Sequence, residues 1–283
     1  MKFQAVVMVF FVALVSQAQE RVEVSFQLID GWAIVLDGNL GGLHHQKMLI
    51  DTGAVPSAIN IRVAKRLGLL GLVQELSLMN RSIKVERVCV PGVQLGAVAV
   101  EALDMVAMDL GRIEQALDTR IDAVIGLDLL ARRNFSLDYH RKKLVFDTDT
   151  DAAGAIVFQM KNEAGGTYIL IPLESGGEKL QMLLDTGTKD LMLFQRRLRG
   201  SLKQLRIHAR DFNLNAGGKD TLAEVELQSV HVGPISRHKQ KAYIWTTPED
   251  NLRNFDGLLG PTALGATDVA FDFERHRVSF EIR

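Results

Sequence analysis

The strongest constraint in this sequence is a short motif that occurs twice. The hexapeptide MLIDTG ends at Gly53 and MLLDTG ends at Gly187, so the two copies are 134 positions apart (187 − 53). The same offset carries DAVIG (122–126) onto DGLLG (256–260), and LDYHRKKLVF (137–146) onto FDFERHRVSF (271–280). A repeat that spans most of a chain indicates two copies of one structural unit.

The repeat predicts two related halves within the 283 residues. A segment of small and polar residues at 148–155 (TDTDAAGA) separates the two halves and is predicted to be a linker. We therefore expect a first lobe over 19–147 and a second lobe over 156–283. Each half is of ordinary domain size, at about 130 residues.

Short runs rich in branched residues, bounded by Gly, Asn or Asp, indicate strands in both halves. Helices are predicted at 60–69 and 194–205, with short helical turns at 115–117 and 127–132. The predicted fold class is mainly β, with two lobes and a few short helices.

The first residues predict export. Met1 and Lys2 precede an apolar run that ends at Val15, and small residues flank Gln17 up to Ala18. This is the pattern of a signal peptide over 1–18, with cleavage after Ala18 and a secreted or periplasmic product. A membrane anchor is the alternative, but the run is shorter than the roughly 20 apolar residues that a spanning helix needs.

Composition excludes several other classes of function. With 33 basic and 34 acidic side chains, the net charge of −1 gives no reason to expect nucleic acid as a partner. One cysteine, Cys89, excludes an internal disulfide and a cysteine-rich zinc site. It lies between Val88 and Val90 and is predicted to be a small core residue. His44 and His45, in a predicted hairpin loop, lack the further ligands that zinc requires, so we expect no metal and no cofactor.

Each DTG follows an apolar strand, and this placement suggests chemistry for Asp51 and Asp185. A carboxylate carried into the interior by such a strand loses water, which disfavours its charged form. Two carboxyls from related halves, if they meet, share one proton and titrate as a pair. One then serves as a general base for water and the other as a general acid for the attacked carbonyl. Thr52 and Thr186 carry hydroxyls that can join the two loops. The structural alternative to a catalytic role, for a single copy of the motif, is a turn formed by Asp and Gly.

These motifs resemble those of the aspartic peptidases, in their pepsin-like and retroviral-protease-like forms. The resemblance rests on two apolar residues followed by DTG, and then on two apolar residues followed by Gly, in each half. It implies a bilobal fold of two retropepsin-like β-barrel lobes, with Asp51 and Asp185 as the catalytic aspartates. It also implies that Gly53 and Gly187 support the active-site loops, and that Gly126 and Gly260 are structural residues packed beneath them. The short halves look similar to bacterial exported proteins with tandem retropepsin-like domains.

The chain departs from the family pattern in two places. Ala54 follows the first DTG and Thr188 follows the second, so the resemblance implies hydroxyl support for Asp185 alone. The predicted first flap, at 76–88, contains neither the tyrosine of pepsin-like flaps nor a glycine, whereas the second, at 212–225, contains two glycines.

The leading hypothesis is an exported aspartic endopeptidase that acts on peptides or proteins, favours acidic pH and works as a monomer. Its alternative is a catalytically weak or inactive peptide-binding or structural protein on the same fold.

Overall fold

The computed structural model describes residues 22–78, 81–148, 154–163, 166–215, 218–246 and 254–282. The predicted signal peptide and most of the predicted linker lie outside these ranges. No helix within them has the length and apolar character needed to cross a bilayer. The described residues are mostly in strands, which confirms the predicted fold class.

The first half contains ten strands and three short helices within the described residues. The strands are β1 (Val22–Ile29), β2 (Ala33–Leu40), β3 (Leu43–Ile50), β4 (Ala58–Asn60), β5 (Leu72–Ser77), β6 (Ser82–Leu95), β7 (Val98–Met108), β8 (Ala123–Ile125), β9 (Phe135–Asp138) and β10 (Lys143–Phe146). The helices are α1 (Ile61–Arg66), α2 (Gly111–Leu117) and α3 (Leu127–Leu130). All three overlap or adjoin segments where the sequence predicted helix.

The described part of the second half contains eleven strands and three 3₁₀ turns. The strands are β11 (Ile156–Val157), β12 (Gln159–Glu163), β13 (Gly166–Ser175), β14 (Glu178–Leu184), β15 (Leu191–Phe194), β16 (Ile207–Asn215), β17 (Gly218–Val232), β18 (Ile235–Trp245), β19 (Gly257–Leu259), β20 (Ala266–Asp272) and β21 (Arg277–Ile282). The 3₁₀ turns are Gln195–Arg197, Gly200–Gln204 and Pro261–Leu264.

The same local topology occurs in both halves around the DTG motif. In the first half β3 pairs parallel with β8, and β8 pairs antiparallel with β4. In the second half β14, β19 and β15 repeat that arrangement. Ile50 lies opposite Ile125, and Leu184 lies opposite Leu259, so the offset of the sequence repeat is also the offset of the strand register.

The two halves share a sheet. Strand β20 of the second half pairs antiparallel with β9 of the first, so a 13-stranded sheet runs from β11 through β21, β20, β9, β10 and β1 into the first half. The remaining strands of the second half form an 8-stranded sheet. At the junction the rings of Phe135 and Phe271 stack with centroids 4.6 Å apart, and both side chains are buried. The largest buried apolar cluster contains residues of both halves, so the two lobes share a core.

The predicted helix at 194–205 is wrong. Phe194 ends strand β15, and two 3₁₀ turns follow it. Arg199, between the turns, has an extended backbone and its guanidinium binds Asp256, and Gly200 has a φ of 50°, in the left-handed region. An α-helix cannot pass through an extended residue and a left-handed glycine in succession.

Two further predictions on single residues need correction. Cys89 is exposed, because Val88 and Val90 take the inner face of β6 and the alternation of the strand turns the residue between them outward. His44 and His45 belong to strand β3, since the β2–β3 hairpin turns at Gly41 and Gly42, which both have positive φ.

Candidate active site

The two DTG loops meet at the interface of the halves, each at the end of a buried strand. Asp51 follows β3 and its N–H donates to the carbonyl of Ile125 at 3.0 Å. Asp185 follows β14 and donates in the same way to Leu259, also at 3.0 Å. The strand that carries each aspartate is therefore bonded to the strand that carries the second motif of the same half, and this pairing fixes the direction of each carboxyl.

The carboxyl groups of Asp51 and Asp185 are in hydrogen-bond contact with each other. Each also accepts a backbone hydrogen bond within its own loop, from Gly53 at 2.8 Å and from Gly187 at 2.7 Å. Sequence reasoning predicted that these two carboxyls would meet, and the structure brings them together.

Gly53 and Gly187 lie against the carboxyl of the opposite half. A Cβ on Gly53 would come within 2.5 Å of Asp185 Cγ, and one on Gly187 within 2.4 Å of Asp51 Cγ. Such distances are far inside van der Waals contact, so only glycine permits the two carboxyls to approach each other here.

Thr52 and Thr186 join the two loops through four hydrogen bonds. The N–H of Thr52 donates to Thr186 Oγ1 at 3.0 Å, and the N–H of Thr186 donates to Thr52 Oγ1 at 3.1 Å. Each hydroxyl then donates to a carbonyl across the interface, Thr52 to Leu184 at 2.8 Å and Thr186 to Ile50 at 3.1 Å. Both side chains are buried, so these bonds form away from water and hold the two strand ends in a fixed relation.

The environments of the two aspartates differ. Burial raises the pKa of Asp185 well above its usual range, and the charge of Asp51 and the hydrogen bond with it raise it further. Burial also raises the pKa of Asp51, but the hydrogen bonds from Asp185, Gly53 and Ala54 oppose this shift. Asp185 is 8% exposed, whereas Asp51 keeps more of its surface open to the cleft. Because the two carboxyls are in contact, they titrate as one pair, and burial favours retention of a proton on that pair.

Gly126 and Gly260 pack beneath the loops. A Cβ on Gly126 would lie 1.9 Å from the carbonyl oxygen of Ala54, and one on Gly260 would lie 2.3 Å from that of Thr188. Each glycine thus supports the turn immediately after a DTG, as the resemblance implied.

Thr188 supports its loop through the backbone. Its N–H donates to the carbonyl of Asp185 at 3.3 Å, as that of Ala54 does to Asp51 at 3.2 Å. Among the described residues its hydroxyl makes no hydrogen bond to Asp185, so the expected hydroxyl support is absent from this structure. The difference between the aspartates comes instead from their burial and from their mutual contact.

A second pair of aspartates stabilises the strands that carry Asp51 and Asp185, the pair called the dyad below. Sequence reasoning did not single out this second pair. Asp122 accepts from the N–H of Lys47 at 2.9 Å, and Asp256 accepts from the N–H of Gln181 at 2.8 Å. Both carboxylates are buried, and each has an arginine partner, Arg120 at 2.8 Å in the first half and Arg199 at 3.0 Å in the second. The sequence did contain a signal for this second pair, because Asp122 and Asp256 are aligned by the 134-residue offset of the repeat.

A cleft of about 760 Å³ opens above the dyad, between the halves. Its first-half wall is largely apolar and includes Trp32, Met108, Ile113 and Leu117. Its second-half wall is formed by Tyr168, Met192, Trp245, Leu258, Lys189 and Asp190. A cleft of this size that has two coupled carboxyls at its floor can hold a peptide in an extended form.

The first predicted flap is part of a hairpin. Strands β5 and β6 pair antiparallel from Leu72 opposite Arg87 to Ser77 opposite Ser82, and residues 76–78 line the cleft. In the second half β16 and β17 form the corresponding hairpin, whose residues Ala216 and Gly217 lie outside the described ranges. Contacts between β16 and α2 bring this second hairpin to the first-half side of the cleft.

Within the described residues no group of three or more histidine, cysteine, aspartate or glutamate side chains is placed to hold a metal ion. His44 has a local role instead, since its Nδ1 lies 3.1 Å from the Oδ1 of Asn39.

The chain has an aspartic-protease-like fold. A family model described as aspartyl protease matches residues 36–129, which include Asp51 and Gly126. Among solved structures the chain is similar to basic 7S globulin from soybean, with a TM-score of 0.51 and 12% sequence identity over 92% of this chain and 94% of that one. A likeness at that identity shows the fold and no more. No curated protein matches the sequence significantly.

Proposed function

We propose that the chain is an exported aspartic endopeptidase that hydrolyses peptide bonds with a water molecule activated between Asp51 and Asp185. The observation that carries this proposal is the contact between the two buried carboxyls at the floor of the cleft. A pair that served only to stabilise the fold would have no reason to border an open cleft, and two acids in contact are costly to keep there.

The greater exposure of Asp51 to the cleft favours it as the base. In this proposal Asp51 takes a proton from water as the water oxygen attacks the peptide carbonyl carbon. Asp185 donates its proton to the carbonyl oxygen, which gives a tetrahedral diol. In the second step the carbon–nitrogen bond breaks, Asp51 protonates the leaving amine, and a diol hydroxyl returns its proton to Asp185. The dyad thus ends as it began, with one proton.

The test is cleavage of a broad peptide library by the wild type and by the variants Asp51→Asn and Asp185→Asn. Asparagine keeps the size of the side chain and an oxygen for the glycine N–H, but it cannot exchange the proton. We expect each variant to lose at least about 10³-fold in kcat/KM. Glu101→Gln, an exposed change on β7, is the matched control and should cleave like the wild type. Cleavage that survives in either Asn variant would rule out the dyad mechanism.

A second candidate is a peptide-binding or structural protein with little or no activity. Two observations favour it: the first hairpin lacks the tyrosine and glycine of the family's flap, and the Thr188 hydroxyl does not bond the dyad. Binding of a statine-type inhibitor, without cleavage of any peptide in the library, would support this candidate over the first.

Export, the lobe boundaries at 19–147 and 156–283, and the monomeric state are also proposals. Mass spectrometry of the mature N-terminus would test cleavage after Ala18. Light scattering on the purified chain would test the monomer, which is expected because one chain already supplies both aspartates.

A further inference from the structure

The second-half wall of the cleft has a polar group that the proposed hydrolysis does not use. Asp190 lies five residues after Asp185, directly before β15, and lines the cleft. Its backbone is fixed, because its carbonyl accepts from the N–H of Gly260 at 3.1 Å. The carboxylate itself has no hydrogen bond or ion pair with any other described residue.

Strand register places Asp190 at one end of an apolar floor. Because side chains alternate along a strand, Met192 and Phe194 share one face of β15, and both Asp190 and Met192 line the cleft. Met192 is paired with Tyr243 and Phe194 with Trp245 on the neighbouring strand β18. These four apolar side chains belong to one buried cluster on this side of the cleft. A carboxylate at the edge of such a floor suits a ligand that is apolar along its length and cationic at its tip.

The basic side chains near Asp190 leave room for such a ligand. Lys241, on β18, is bonded to Glu224 at 2.7 Å and lies over the ring of Tyr243, 5.0 Å from its centroid. Lys189, the neighbour in the chain, is exposed and is therefore screened by water. Burial raises the pKa of Asp190, and Lys189 and Lys241 offset this only in part, while Glu224 and Asp211 add to it. A cation supplied from the cleft would relieve the cost of keeping this carboxylate half-buried.

We infer that the second-half wall is a subsite for a lysine or arginine side chain of the peptide, with Asp190 as the residue that selects it. The aliphatic stem lies on Met192 and the neighbouring apolar side chains, and the cationic head binds the Asp190 carboxylate. This inference rests on the proposed function for the identity of the ligand as a peptide. It adds the class of side chain that this wall recognises.

The experiment measures binding, so that it does not depend on turnover. The probes are fluorescein-labelled octapeptides of apolar sequence in which one lysine is moved through every position, each paired with the same peptide containing norleucine there. Anisotropy is measured at pH 7 with the Asp51→Asn chain, because the proposed hydrolysis cannot consume the probe in that variant. At one position the lysine peptide should bind about five- to tenfold more tightly than its norleucine partner, as expected for a charge-assisted hydrogen bond at a partly buried site.

Asp190→Asn on that background should abolish the preference for lysine and leave the affinity for the norleucine peptide unchanged. Glu101→Gln on the same background removes one negative charge from an exposed position outside the cleft lining and should leave the preference intact. Equal affinity for the two peptides at every position, or a preference that survives Asp190→Asn, overturns the inference. Failure of the proposed function shows separately, as absence of library cleavage by the wild type.

Discussion

The hydroxyl of Thr52 accepts the backbone N–H of Thr186, and the hydroxyl of Thr186 accepts the backbone N–H of Thr52, at 3.1 and 3.0 Å. Each threonine thus completes the loop of the other half. Because both side chains are buried, neither loop can move without leaving polar groups of its partner unsatisfied.

Thr52→Val should therefore damage both stability and activity. The change keeps the shape of the side chain but leaves the N–H of Thr186 and the carbonyl of Leu184 without their partner. We expect a loss of about 2–4 kcal/mol in the free energy of unfolding, measured by denaturant titration. Thr52→Ser, which retains the hydroxyl, should lose much less, and equal losses in the two variants would contradict this role.

Gly126→Ala should displace the first active-site loop. The new Cβ would lie 1.9 Å from the carbonyl oxygen of Ala54, which is backbone and cannot rotate away. We expect a cost of about 3 kcal/mol, through overpacking, together with a fall in kcat/KM. Gly111→Ala is the matched control, because its Cβ would meet the end of the flexible Asp109 side chain at 3.0 Å. If both alanine variants unfolded at the same temperature, the proposed support of the loop by Gly126 would be wrong.

Arg199→Met should destabilise the second half. Asp256 is almost fully buried and would lose its cation, although it would keep the N–H of Gln181. Since Arg199 is itself partly exposed, the expected loss is about 1–2 kcal/mol, below that for a fully buried pair. Lys203→Met, an exposed change in the 3₁₀ turn Gly200–Gln204, should stay within about 0.5 kcal/mol of the wild type. Thermal unfolding distinguishes the two, and an equal effect would mean that Arg199 is only a surface charge.

Asp268→Asn should stabilise the chain at neutral and alkaline pH. Asp268 lies opposite Asp138 and Glu281 on its two neighbouring strands, and burial together with these charges raises its pKa to about 7. In the unfolded chain the same carboxyl ionises near pH 3.9. Between these values the folded protein binds more protons than the unfolded one, so its stability falls as pH rises through this window.

The variant should therefore unfold about 1–3 °C above the wild type at pH 8, allowing for the partial exposure of Asp268. The difference should vanish below about pH 3, where the carboxyl is protonated in both states. Calorimetric scans across that range provide the measurement. A difference that is the same at pH 3 and pH 8 would show that repulsion within the sheet is not its cause.

Much of the floor of the candidate site could be predicted from the sequence. Asp51, Asp185, the threonines that follow them and the glycines at 126 and 260 all lie on a repeat with a constant offset. Such a repeat indicates two copies of one unit, and two copies that share a core bring equivalent loops together. The helix predicted at 194–205 is wrong, because Arg199 is extended and bonded to Asp256, 57 positions away, and Gly200 has a left-handed φ; local helical propensity contains neither feature.

The sequence by itself determined that two carboxyls would be delivered by two related strand ends, because motif, spacing and strand pattern are properties of the chain. Only the tertiary structure decided what surrounds them. The reciprocal bonds of Thr52 and Thr186, the unpaired carboxylate of Asp190 and the raised pKa of both Asp51 and Asp185 depend on burial and on contacts between segments far apart in the chain. Desolvation acts on a side chain according to everything packed around it, and that packing exists only once the two halves have closed on each other.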